Sequence, residues 1–292
     1  MKKGAYTLLI TPFKEDGSLD EESLRKLTRR QIKANIHGLA PLGVTGENTL
    51  LTREEIKTVL KLVVEEVNGR FPIIPDTCAM SLNEAIEKAK LYADYGATYC
   101  AAYVPFFVLP KQDGIMKFYE ELADKSEIPI IMHNGAGRTG VNMTPVTAAL
   151  LAKHPNIIGI KDGNKLLDHL AKVICLTKDE DFLVFTGKDT TAFPLVSAGG
   201  GGTFTVAGNV VPEVMKNIVD WTLLDKKEEA EKLHRDYFSL FEAVRFETNP
   251  MGTKAALGMM GLISEALRLP LTPLSKEKKE ILKEIMKERG LI

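Results

Sequence analysis

The chain has 292 residues, 45% hydrophobic and 26% charged, a mixture that supports a sizeable core and lies away from the disordered and membrane classes. Its formal net charge is −1 with both signs interspersed, so no basic stripe marks it for nucleic acid or an anionic membrane. Three cysteines without CxxC spacing, and an N-terminus without a signal-peptide pattern, point to reduced thiols and a cytoplasmic address.

Short apolar or β-branched runs recur with amphipathic stretches between them, the order expected of parallel strands joined by crossover helices. Eight strands are predicted, over residues 5–11, 38–42, 72–77, 98–104, 128–132, 157–160, 182–186 and 203–206. Thr52 with Glu55, and Ser81 with Glu84, read as capping boxes that open two of the intervening helices. From about Pro212 the pattern is helical only. The fold class is therefore α/β, a (β/α)₈ TIM barrel over residues 1–225 with a C-terminal helical extension over 226–292 packed on it. A doubly wound sheet would also alternate strands and helices, but the dinucleotide fingerprint is missing after the first strand.

In a barrel the chemistry lies where the strands end. Lys161 closes the run Ile157-Ile158-Gly159-Ile160, which would aim its amine into the barrel mouth. Burial there lowers a lysine's pKa, as a nucleophile for a carbonyl requires; a salt-bridged lysine is the competing reading. Gly43-Val44-Thr45-Gly46-Glu47 follows the second strand and combines close backbone approach, amide donors and the Thr45 hydroxyl, which suits a carboxylate. A plain βα turn reads equally well. Arg138, in a glycine-rich segment after the fifth strand, could take a carboxylate through two parallel hydrogen bonds, or stand on the surface. The five histidines show no metal-ligand spacing, and no metal or cofactor is expected.

Taken together, these segments resemble the family of pyruvate-dependent class I aldolases that includes dihydrodipicolinate synthase and N-acetylneuraminate lyase. The likeness spans the whole chain, from Leu9-Ile10-Thr11-Pro12-Phe13 through Gly137-Arg138-Thr139-Gly140 and Gly159-Ile160-Lys161-Asp162 to Leu269-Pro270-Leu271-Thr272-Pro273-Leu274. The resemblance implies that Lys161 forms a Schiff base with pyruvate, that Thr45 and neighbouring amides hold its carboxylate, and that Arg138 receives the carboxylate of the aldehyde. Gly-Arg-Thr-Gly, Asn249-Pro250 and the closing proline-rich segment favour the synthase branch. The expected substrate-binding set is Val44, Thr45, Gly46, Phe107, Arg138, Gly187, Phe204 and Asn249, with Lys161 and His133 catalytic.

Three positions depart from the family pattern. Where the synthases place a threonine and two tyrosines, one from a neighbouring subunit, to move protons, this chain has Val44, Phe107 and His133. Valine and phenylalanine have no hydroxyl. Histidine, with an ordinary pKa of about 6.5, can accept and donate protons in place of the third, and a strand-end histidine that merely fills the tyrosine's space is the competing reading. The expectation is a Schiff-base lyase that condenses a 2-keto acid with an aldehyde, aspartate semialdehyde first. Alternatives are aldol cleavage of a 2-keto-3-deoxy sugar acid or N-acetylneuraminate by the same lysine, and a catalytically weak keto-acid-binding barrel. The resemblance also implies a homo-oligomer, dimer or tetramer.

Overall fold

The computed structural model describes residues 1–164 and 166–292. Seven strands form one parallel sheet: β1 (Gly4–Thr7), β2 (Gly38–Leu39), β3 (Cys100–Tyr103), β4 (Ile130–Asn134), β5 (Ile157–Asp162), β6 (Leu183–Thr186) and β7 (Gly202–Thr205). Their order is β2-β1-β7-β6-β5-β4-β3. The eighth stave, expected over 72–77, is a bridged segment rather than a laddered strand. It makes single bridges from Ile73 to Leu39 and from Asp76 to Ala101, so it joins the two open edges of the sheet. Pro72 and Pro75 explain the difference, because neither has an N–H to donate. Their carbonyls still accept, from Leu39 N–H at 3.0 Å and Ala101 N–H at 2.9 Å, and the barrel closes.

Two strands run further than predicted. β4 continues through His133 and Asn134, and β5 through Lys161 and Asp162, so the two candidate catalytic residues stand on strands rather than in loops. The register pairs Tyr103 with His133 and His133 with Lys161, which sets the three side by side on β3, β4 and β5. Conversely, β1 stops at Thr7, and beyond it Ile10 N–H donates to the Asn209 side chain at 3.2 Å.

The helix Arg53–Val67 opens on a complete capping box, with Thr52 and Glu55 bonded reciprocally. At Leu82–Asp94 only half forms: Ser81 caps Glu84 N–H, while the Glu84 carboxylate pairs with Lys88 instead. Beneath the barrel mouth Tyr6, Phe185 and Phe204 fill the interior, Tyr6 and Phe204 stacked with centroids 5.4 Å apart. The helices Pro212–Leu223, Lys227–Ala243, Met251–Met259 and Lys276–Glu288 follow the last strand. Leu240, Phe241, Leu257, Leu282 and Met286 from them belong to the same continuous core as the barrel. Cys78 and Cys100 are buried, and Cys175 is exposed. No helix among the described residues is long and apolar enough to cross a membrane.

The glycine run 199–202 is a crowded strand entry. Gly202 has φ +136, and a Cβ there would overlap the Gly4 carbonyl on the neighbouring strand. Gly202→Ala should therefore cost more than about 3 kcal/mol, since backbone on both sides must move. Chemical denaturation of the variant measures this; a loss below about 1 kcal/mol would contradict the packing described.

Candidate active site

Lys161 is buried at the C-terminal end of β5, with its Nζ 5.9 Å from the centre of the Phe204 ring below it. Burial lowers its pKa from 10.5 to about 8; Asp76 opposes the fall, while Arg245 and Arg138 add to it. An appreciable share of the amine is therefore uncharged near neutral pH. The side chain opens on a small cavity whose wall includes Thr45, Tyr103, His133, Arg138, Arg245 and Asn249, with Val44 and Gly187 beside them.

The loop after β2 is fixed from behind. Glu47, at φ +53, turns away from the cavity and forms a buried ion pair with Lys254 at 2.6 Å. Each charge would be costly alone, and together they tie the loop to the C-terminal helices. The loop thereby holds Thr45, whose Oγ1 accepts from Asn249 Nδ2 at 2.8 Å. That bond leaves the Thr45 hydroxyl proton available to a carboxylate. Arg138 lies in the short helix Ala136–Thr139, and among the described residues its one side-chain hydrogen bond is to the Asn249 carbonyl at 3.4 Å.

His133 and Asp76 meet at 2.5 Å, Nδ1 against Oδ2, both buried. Burial, then the Lys161 cation, push His133 down to about 4, against the pull of Asp76. Burial resists ionisation of Asp76, but His133 and Lys161 outweigh it and hold the carboxyl below its usual range. At neutral pH the pair is thus a carboxylate and a neutral imidazole. The imidazole lies against the Tyr103 ring, with centroids 3.6 Å apart.

Three expected residues stand outside the wall of this chain's Lys161 cavity. Phe107 is 86% exposed, at φ +70 in the turn after β3, and takes no part in the wall of this chain's Lys161 cavity. Phe204 is wholly buried among Tyr6 and Phe185 and supports the lysine from below. Gly46 is a packing glycine: a Cβ would come 2.8 Å from Leu42 N. Val44, Thr45, Arg138, Gly187 and Asn249 are brought together as expected.

Asp76, Tyr103 and Arg245 were not foreseen. Asp76 and Tyr103 lie at or near the ends of predicted strands, a position that could have flagged them. Tyr103 restores a phenol to a cavity that the family threonine and tyrosine positions leave without hydroxyls. Arg245 comes from the helical extension; its Nη2 donates to the Gly187 carbonyl at 2.8 Å, and its Nε lies 3.6 Å from Asp189. An adjoining apolar chamber, lined by Leu50, Phe106, Pro270 and Leu271, shares Val44, Tyr103, Arg138 and Asn249 with the lysine cavity.

A buried lysine with a depressed pKa at the mouth of a (β/α)₈ barrel, flanked by a hydroxyl, an imidazole and an arginine, defines a class I lyase, the kind that holds a keto acid as an imine. The family follows from comparison. The chain belongs to the dihydrodipicolinate synthetase family, whose model matches residues 1–289. It is 39% identical to the 4-hydroxy-tetrahydrodipicolinate synthase of Thermodesulfovibrio yellowstonii and 37% identical to that of Geobacter sulfurreducens, covering 100% of both chains in each case. Among solved structures it is similar to a dihydrodipicolinate synthase from Thermotoga maritima, with a TM-score of 0.98, 35% identity and full coverage of both chains. It is likewise similar to a monomeric dihydrodipicolinate synthase variant, with a TM-score of 0.97, 34% identity and coverage of 100% of this chain and 98% of that one.

Arg245 depresses the Lys161 pKa through its charge. Arg245→Gln should raise that pKa, move the pH dependence of imine formation to the alkaline side, and slow imine formation at pH 7 roughly two- to tenfold. Rates of imine formation measured from pH 6 to 10 test this; an unshifted or acid-shifted profile would contradict it.

Proposed function

We propose that the chain condenses pyruvate with aspartate semialdehyde, as a 4-hydroxy-tetrahydrodipicolinate synthase does. The observation that carries the reading is the buried Lys161 amine, with its pKa near 8, facing a cavity that also holds Thr45 and Arg138. The neutral amine adds to the keto carbon of pyruvate, and loss of water gives the protonated imine. Thr45 holds the pyruvate carboxylate. Removal of a methyl proton gives an enamine, with the imine nitrogen as electron sink. His133 is the acid–base group for that step. The enamine carbon attacks the aldehyde of the second substrate, whose carboxylate Arg138 receives. Its amino group then displaces Lys161 from the imine carbon, which closes the ring and frees the enzyme; one water is lost overall.

A second reading keeps the lysine and the pyruvate enamine and changes the partner. Arg245 and Lys188 line the cavity beside Arg138, and this accumulation of cations favours an acceptor or cleavage substrate with more negative charge, such as a 2-keto-3-deoxy sugar acid. For the assembly, the exposed run Phe107, Val108 and Leu109 supports a homo-oligomer that covers it. A cytoplasmic location accords with the reduced-thiol composition.

The direct test incubates the protein with pyruvate and aspartate semialdehyde and follows loss of both, beside a panel of 2-keto-3-deoxy acids monitored for pyruvate release. Consumption of both substrates supports the first reading; pyruvate release from a sugar acid without condensation supports the second. Arg138→Gln should raise the KM for the aldehyde about 10- to 100-fold, the worth of a charge-assisted hydrogen-bond pair, with little change in the KM for pyruvate. Equal changes in both constants would contradict the role given to Arg138.

A further inference from the structure

The histidine beside Lys161 has one nitrogen committed and one free. His133 Nδ1 lies 2.5 Å from Asp76 Oδ2, and Asp76 Oδ1 is occupied by the Cys78 N–H at 3.1 Å. Among the described residues no hydrogen bond reaches His133 Nε2, and the ring lines the Lys161 cavity. The ring is also held in its plane: it rests on Tyr103 on one strand and is register-paired with Lys161 on the other. Since the carboxylate can only accept, the single ring proton sits on Nδ1 and the lone pair sits on Nε2, toward the cavity.

Among the described residues this carboxylate's one ion pair is with the histidine, with the Lys161 charge farther off, and a buried carboxylate is expensive to keep for packing alone. Asp76 enters from the segment 72–77, which is held by single bridges, so the barrel's ladders do not depend on its side chain.

Resting on the Schiff-base reading above, we propose that Asp76 and His133 form the proton carrier of the enamine steps. His133 Nε2 is the catalytic base and acid, and Asp76 is the positioning residue that fixes its tautomer and its orientation. Once pyruvate is joined to Lys161 as a protonated imine, Nε2 accepts a proton from the methyl carbon. The C–H electron pair becomes the enamine double bond, and the C=N pair returns to nitrogen. The imidazolium so formed faces the Asp76 carboxylate, which stabilises it. When the enamine carbon bonds to the aldehyde carbon, the C=O pair moves to oxygen, and that oxygen takes the proton back from Nε2. Histidine ends neutral, as it began, and no hydroxyl relay or partner-subunit residue is needed.

The test separates imine formation from proton transfer. Each variant is incubated with pyruvate in D₂O, and exchange of the methyl protons is followed by NMR; a parallel sample is reduced with borohydride to count trapped imine. His133→Gln should trap imine as the unaltered protein does, yet exchange methyl protons at least about 100-fold more slowly. Asp76→Asn should also trap imine and lose about 10- to 100-fold in exchange, and Asp76→Glu should recover part of that loss. Unchanged exchange in His133→Gln, or parallel loss of trapping and exchange in Asp76→Asn, would overturn the proposal. Nitrogen-15 NMR of the unaltered protein at pH 7 checks the tautomer without a variant; a protonated Nε2 in the free enzyme would also overturn it. No trapping in the unaltered protein would be a failure of the Schiff-base reading itself, distinguishable from both.

Discussion

Desolvation of one amine is the constraint around which the site is arranged. Lys161 extends from a strand covered on all sides, so its ammonium lacks the water that would keep it charged, and its pKa falls to about 8. Burial that went further would cost stability, and the buried carboxylate of Asp76 moderates it. Arg245 and Arg138 push the other way. The nucleophile is thus poised between a charged form, which is stable but inert, and a neutral form that reacts. Phe204, packed on Tyr6 and Phe185, supplies the dry floor on which the balance rests.

The barrel converts strand register into catalytic geometry. Tyr103, His133 and Lys161 are neighbours because β3, β4 and β5 are in register at those positions, and a slip of one residue would turn each side chain to the opposite face. The helical extension adds what the strands do not carry. Asn249 holds the Thr45 hydroxyl, Lys254 neutralises Glu47 under the same loop, and Arg245 reaches the cavity edge. Loss of the family threonine and tyrosine hydroxyls at Val44 and Phe107 is accompanied by groups from other places: a carboxylate from the bridged segment, a phenol from β3 and an imidazole from β4.

Much of this was legible in the chain before folding. The alternation of apolar runs and capped helices specified the barrel, and the rule that chemistry sits at strand ends selected Lys161, Thr45 and Arg138. His133 was readable as an acid–base group because its type differs from the family tyrosine. Asp76 was not, although it stands near the end of a predicted strand, since the partner that gives it a role lies 57 residues away. Arg245 had no local signal at all; only the packing of the extension on the barrel brings it to Gly187 and Asp189. Phe204 and Phe107 fall on plausible segments, but side-chain direction, which decides between floor, wall and surface, depends on the assembled barrel.

The most direct measurement is reduction with sodium borohydride in the presence of pyruvate, followed by intact mass and peptide mapping, with Lys161→Ala in parallel. The account predicts a single pyruvate-derived adduct on Lys161 and none in the variant. An adduct on another lysine, or no adduct under conditions that label a working class I aldolase, would contradict it.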